Sequence, residues 1–104
     1  MRQVMHGDII AAARALVEIP SPERAAAISA MFYRAHSADK IMKHTGMPHQ
    51  AWGNGSLLAA TQPRPNLPEP SLSNMDYLRA LQQILTALID WKCERDPSLR
   101  RYGR

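Results

Sequence analysis

The chain has 104 residues, 45% of them hydrophobic and 21% charged, with a formal net charge of +4. That length leaves room for one domain with one modest core, and the apolar fraction is that of a globular protein and not of a disordered one. No run approaches the roughly 20 apolar residues that cross a bilayer, and the mild basic excess permits contact with nucleic acid without demanding it.

Met1-Arg2-Gln3-Val4-Met5-His6-Gly7-Asp8 lacks the apolar run and the small-residue cleavage site of a secretory signal. A helix start follows directly. Asp8 is placed to cap a first helix over about 8–19, with Ile9, Ile10, Ala13, Leu16 and Val17 on one side and Arg14 and Glu18 opposite. Pro20 ends it. Ser21-Pro22-Glu23 then combines a capping serine, a proline suited to the first turn and an acid for the positive end of the helix dipole. The helix it opens is predicted over about 22–45, with Gly46 as its left-handed stop. Ile28, Met31, Phe32, Ala35, Ala38 and Met42 make its apolar face, and Tyr33, His36, Ser37, Lys40, Lys43 and His44 the opposite one.

Residues 46–56 read as a loop, with Gly53-Asn54-Gly55 as a tight turn and Asn54 in its left-handed position. Asn54 or Ser56 caps a short helix from Leu57 to Thr61. Pro63, Pro65, Pro68 and Pro70 make 62–73 an extended connection, pinned to the body by Leu67 and Leu72. A last helix over about 74–95 follows the capping pair Ser73 and Asp76. Tyr77, Leu78, Leu81, Ile84, Leu85, Leu88, Ile89 and Trp91 cover about half its circumference, which suits a central bundle helix or one that meets a second subunit. Asp96-Pro97 closes it and leaves a short, mobile basic tail over 98–104. The expected fold is an all-α compact bundle: one domain over 1–97, two long helices packed lengthwise, two shorter ones, and a proline-rich connection.

Candidate chemistry is sparse. His6, His36, His44 and His49 include no HExxH, and the single Cys93 excludes any CxxC, so neither a metal site nor another cofactor is expected. One cysteine makes no internal disulfide and fits a cytoplasmic protein. Near a helix C-terminus the dipole works against a thiolate, so Cys93 reads as inert. Gly53-Asn54-Gly55-Ser56 lacks the lysine and the length of a phosphate loop. No catalytic residue is named, and the chain is not expected to be an enzyme.

Two surfaces are left. Leu85 and Ile89 at the edge of the last helix, with His49, Trp52 and Asn54 in the loop, are candidate partner contacts, because loops carry function more often than cores do. Tyr33, His36, Lys40, Lys43 and His44, with Arg100 and Arg101 in the tail, form a candidate nucleic-acid surface. The first set favours a non-enzymatic interaction or adaptor protein, homodimeric through the last helix, with no membrane contact. The alternative is a nucleic-acid-associated accessory protein in regulation or DNA packaging.

His6-Gly7-Asp8 before an alanine-rich helix, Trp52-Gly53-Asn54-Gly55-Ser56, and Pro68-Glu69-Pro70 ahead of Asp76-Tyr77 together resemble a family of small uncharacterised alphaproteobacterial proteins. The resemblance implies a bacterial cytoplasmic setting and transfers no activity, cofactor, partner or functional residue.

Overall fold

The computed structural model describes residues 1–61 and 68–101, Arg100 and Arg101 by backbone only. The predicted anchor Leu67 lies outside the described residues. The fold is all-helical, with α1 His6–Val17, α2 Arg24–Thr45, α3 Leu57–Thr61 and α4 Met75–Arg95. Short 3₁₀ turns at Ser21–Glu23 and Pro97–Arg101 lead into α2 and follow α4.

Each helix end has a physical cause, and several differ from the expected one. Asp8 is not the cap of α1. The helix begins earlier, after an extended Met5, and Asp8 occupies its first turn. There Oδ2 accepts from the Met5 amide at 2.8 Å, while Oδ1 accepts from the Leu58 amide at the start of α3 at 3.0 Å. A carboxylate offers two acceptors, so one buried side chain satisfies free amides of two helices. Ser21 does not cap α2 with its side chain. It lies inside the 3₁₀ turn, and its carbonyl accepts from the Arg24 amide. Gly46 ends α2 as expected, at φ +73°. Asn74, and not Ser73, caps α4. Its Oδ1 accepts from the amides of Asp76 and Tyr77 at 3.0 and 3.2 Å. Leu72 is 65% exposed, so it does not pin the connection.

The helix at the centre is α1. It is buried at Ile9, Ala11, Ala12, Ala13 and Leu16, and it packs against α2, α3 and most extensively α4. Its alanines carry no side chain beyond Cβ, so helices approach from several directions. The expected lengthwise pairing of the two long helices does not occur. They are the least extensively packed of the α-helix pairs in contact. They meet where Arg24 reaches Asp76 and where the Phe32 ring stands edge-on to Trp91, with centroids 5.5 Å apart. The buried side of α4 faces α1 instead, through Tyr77, Ala80 and Ile84, with Leu81, Leu88 and Trp91 half-covered.

Arg24 ties three elements at one end. Its Nε donates to the Ile19 carbonyl at 3.0 Å, and its Nη2 donates to both Asp76 oxygens at 2.9 and 3.1 Å. Arg24 is buried on the apolar side of α2, where sequence periodicity places only hydrophobic residues. Its guanidinium makes that burial affordable by satisfying the end of α1 and the first turn of α4 at once. Among the described residues no helix is long and apolar enough to cross a membrane.

Candidate interaction surfaces

The outer face of α4 carries exposed apolar side chains in a row. Met75 is 60% exposed, Leu78 38%, Leu85 48% and Ile89 49%. Met75, Leu78, Gln82, Leu85 and Ile89 step by alternating intervals of three and four residues. That is the a/d spacing of a coiled-coil seam, narrower than the stripe of a helix that only covers its own core. The inner part of the wide apolar side fills the core, and the outer part stays open to solvent.

The loop after α2 is organised around His49. Its Nδ1 accepts from the amides of Ala51 and Trp52 at 3.0 and 2.9 Å, so that nitrogen carries no hydrogen and Nε2 is the donor. The backbones of His49 and Gly53 exchange two hydrogen bonds, at 2.9 and 3.0 Å, and close the turn. Trp52 folds back onto the imidazole, with centroids 4.4 Å apart and planes at 15°. Tyr33 of α2 meets the same indole edge-on at 6.3 Å. His49 and Trp52 belong to one predicted surface and Tyr33 to the other, and the fold joins them in a single aromatic patch. Asn54 stands apart from it in role, because its Oδ1 accepts the Ser56 amide at 3.1 Å and shapes the entry to α3. Positive φ falls on the glycines that flank it, Gly53 at +78° and Gly55 at +101°.

The basic face of α2 is broken up by the fold. Lys40 and His44 are exposed. Lys43 pairs with Asp39 at 3.0 Å, one turn earlier. His36 turns aside. Its Nδ1 accepts from the Met1 α-amino group at 3.1 Å, and its ring stands edge-on to Trp91 at 5.4 Å. Burial is the first cause that holds the His36 pKa below the ordinary histidine value, followed by the positive charges of the α-amino group, Lys40 and Arg95. Asp39 receives the same α-amino group at 3.3 Å. Burial alone would raise its pKa, but hydrogen bonds from Lys43 and the α-amino group outweigh burial and hold it below the usual carboxylate range. The side chains of Arg100 and Arg101 lie outside the described residues.

Asp39 belongs to neither predicted surface, yet it is as central as any residue in this region. The available signal was its position, next to Ala38 and one turn after Ala35 on the buried side of α2. Among the described residues no group of three or more His, Cys, Asp or Glu is placed to hold a metal ion.

The family described as a domain of unknown function, DUF7742, matches residues 2–88. The chain belongs to this family. No curated protein and no solved structure matches it. The DUF7742 region takes in α1, α2, the loop with its aromatic patch, α3, and α4 as far as Leu88, one residue short of Ile89. It therefore holds His36 and Asp39, though not the Met1 α-amino group that they contact, and most of the α4 seam.

The two depressed pKa values give the protein a defined acid sensitivity. Between the folded and unfolded pKa of His36 the unfolded chain binds more protons, so stability falls as pH drops below about 6.5. For Asp39 the stabilisation is complete above the unfolded carboxylate pKa, near 4, and is lost as pH falls through the lower folded value. Thermal melts from pH 8 to 3 are expected to show a first decline below about 6.5 and a second below about 4. His36→Gln is expected to remove the first decline and leave the second. A single decline, unchanged in His36→Gln, would contradict the assignment.

Proposed function

We propose that this DUF7742 protein is a small, non-enzymatic interaction protein of the bacterial cytoplasm that docks an amphipathic helix on the outer face of α4, pairing with a second copy of itself. The observation that carries the reading is the seam of Met75, Leu78, Leu85 and Ile89, each more than a third exposed and set at coiled-coil spacing. Gln82 within the seam is the kind of polar residue that restricts register in such pairings. Leu81 and Leu88 flank the row, half-covered, and widen the apolar strip toward α1. The aromatic patch of Tyr33, His49 and Trp52 is a second, smaller contact surface, outside this pairing. The folded unit is residues 1–97.

Charge supports an antiparallel arrangement of the two α4 helices. Pairing Leu78 with the Ile89 position of the other copy brings Arg79 level with the neighbourhood of Asp90, twice by symmetry. A parallel arrangement brings Lys92 against Lys92 and opposes the helix dipoles. A seam of this length is smaller than a standard stable interface, so association in the micromolar range is expected.

The test is sedimentation velocity across a broad concentration range. Wild-type protein is expected to pass from monomer to dimer, and Leu85→Glu or Ile89→Glu to stay a soluble, helical monomer. Loss of helical circular dichroism in either variant would place these side chains in the core and end the docking reading. A wild-type monomer at every concentration would remove self-pairing.

Nucleic-acid association in regulation or DNA packaging, through Tyr33, His36, Lys40, Lys43 and His44, has weaker support. Lys43 is held to Asp39, which it shares with the α-amino group, and His36 is turned toward that group.

A further inference from the structure

Helices α2 and α4 touch at the Arg24–Asp76 ion pair and at Phe32 and Trp91, and between them runs an open groove of about 580 Å³. That volume lies within the range of small-molecule sites. Its origin is the central position of α1, which holds the long helices apart while small residues, Ala25 and Ser29 on one wall and Ala87 on the other, leave the gap unfilled.

The lining has a consistent chemistry. Ile28, Phe32 and Trp91 supply an apolar surface. Ser29, Gln82, Gln83 and Thr86 bring hydroxyls and amides that can accept as well as donate, and the carboxylates of Asp90 and Glu94 lie at one end. The described lining holds no lysine or arginine, although the chain carries 13 basic residues against 9 acidic ones. Gln83 adds an observation of a different kind. Its Oε1 is buried and takes no hydrogen bond. A buried acceptor without a donor is costly and uncommon in a native fold, and because Gln83 lines the groove, rotation of its side chain would bring that oxygen to an N–H entering there.

We infer that the α2–α4 groove is a binding site for a small organic cation, an apolar body carrying a primary amine or guanidinium. The apolar body lies on Ile28, Phe32 and Trp91. The cationic group is held by the end of the groove that carries Asp90 and Glu94, and its N–H donors reach the Gln83 carbonyl. The Arg95 guanidinium lies over the Trp91 ring, 3.1 Å from the centroid, so the ligand's apolar body meets Trp91 where Arg95 leaves it open. The groove adjoins the α4 seam and shares Gln82 with it, but the inference does not rest on self-pairing.

Two probes with a common indole body and opposite charge test the inference: tryptamine and indole-3-propionate, titrated into ¹⁵N-labelled full-length protein. Tryptamine is expected to shift the Trp91 indole N–H and the Gln83 side-chain amide saturably, with at least about tenfold tighter binding than the propionate. Asp90→Asn with Glu94→Gln is expected to erase that difference, and Ser29→Leu, which fills the groove, to abolish binding. Rising salt is expected to bring the two wild-type affinities together, a readout that holds even if a variant fails to fold. Equal affinity for the two probes at low salt, no saturable shift, or shifts confined to residues outside the groove would overturn the inference.

Discussion

Gly55→Ala is expected to cost about 3–5 kcal/mol, enough to lower the melting temperature by roughly 15 °C or more in a protein of this size. Two separate penalties meet at this residue. Its φ of +101° is one that a residue with Cβ rarely adopts. A Cβ built there would also stand 2.6 Å from Cα and Cβ of Asp39 and 3.0 Å from its backbone nitrogen, on the buried side of α2, where the helix backbone cannot give way. The loop carbonyl at Gly55 also accepts the Arg2 amide at 2.8 Å, so a shift of the loop loosens the N-terminal segment and the α-amino contacts with His36 and Asp39. Gly46→Ala supplies the control. Its φ is +73°, but a Cβ there meets nothing within 4 Å, so only the conformational penalty of about 1 kcal/mol applies. Chemical denaturation of the two variants separates the terms. Equal losses would mean that the loop does not seat on α2 at Asp39.

Asp8→Ala is expected to destabilise by about 2–4 kcal/mol, because it strands two amides that one carboxylate now serves. The Met5 and Leu58 amides belong to segments far apart in sequence, so the loss also unties α3 from α1. The informative companion is Asp8→Asn. A side-chain amide is nearly isosteric but offers one acceptor oxygen, and its NH₂ would face the second backbone N–H. Asn is therefore expected to recover little of the loss. Urea denaturation measures the totals, and amide hydrogen exchange at Leu58 reads the local event. An Asp8→Asn protein as stable as wild type would mean that only one of the two bonds matters.

Both residues explain why a 104-residue chain, with alanine in much of its central helix, holds a defined shape. The largest fully buried side chains are Tyr77, Leu16, Leu57 and Ile84, so the core is small. Tyr77 enters it with its hydroxyl aimed at Glu69, 3.4 Å away. Burial first, then the Glu69 charge and hydrogen bond, raise the pKa of that phenol. A fold of this kind leans on polar fastenings at the helix ends: Asp8 between α1 and α3, Arg24 between α2 and α4, and Asp39 between α2 and the N-terminal segment. The apolar row on α4 is then surface beyond what the core uses, and for that reason it carries the functional reading.

Some of this was legible from residue order alone. Pro20 and Gly46 mark where helices stop and the Ser56 cap marks where one starts, because they act through local backbone geometry that needs no neighbour. The 3.6-residue period of the α2 and α4 apolar faces is likewise local, and it identified the all-helical class. Which helix sits in the middle was not legible. Hydrophobic width pointed to α4, while the alanines of α1 decided the matter, since close approach depends on what faces a small residue and not on its own hydrophobicity. Nor did periodicity distinguish the core half of α4 from the exposed half, Leu78, Leu85 and Ile89, because burial is set by the neighbours that arrive. The same holds for the candidate sites. Residue type nominated His49, Trp52 and Tyr33, but only the fold stacked them together, turned His36 away from the basic face and paired Lys43 with Asp39. Local signals determine where elements begin, end and carry apolar surface. Tertiary structure alone decides which of those surfaces meet and which remain open, because each such contact joins residues whose separation along the chain carries no record of it.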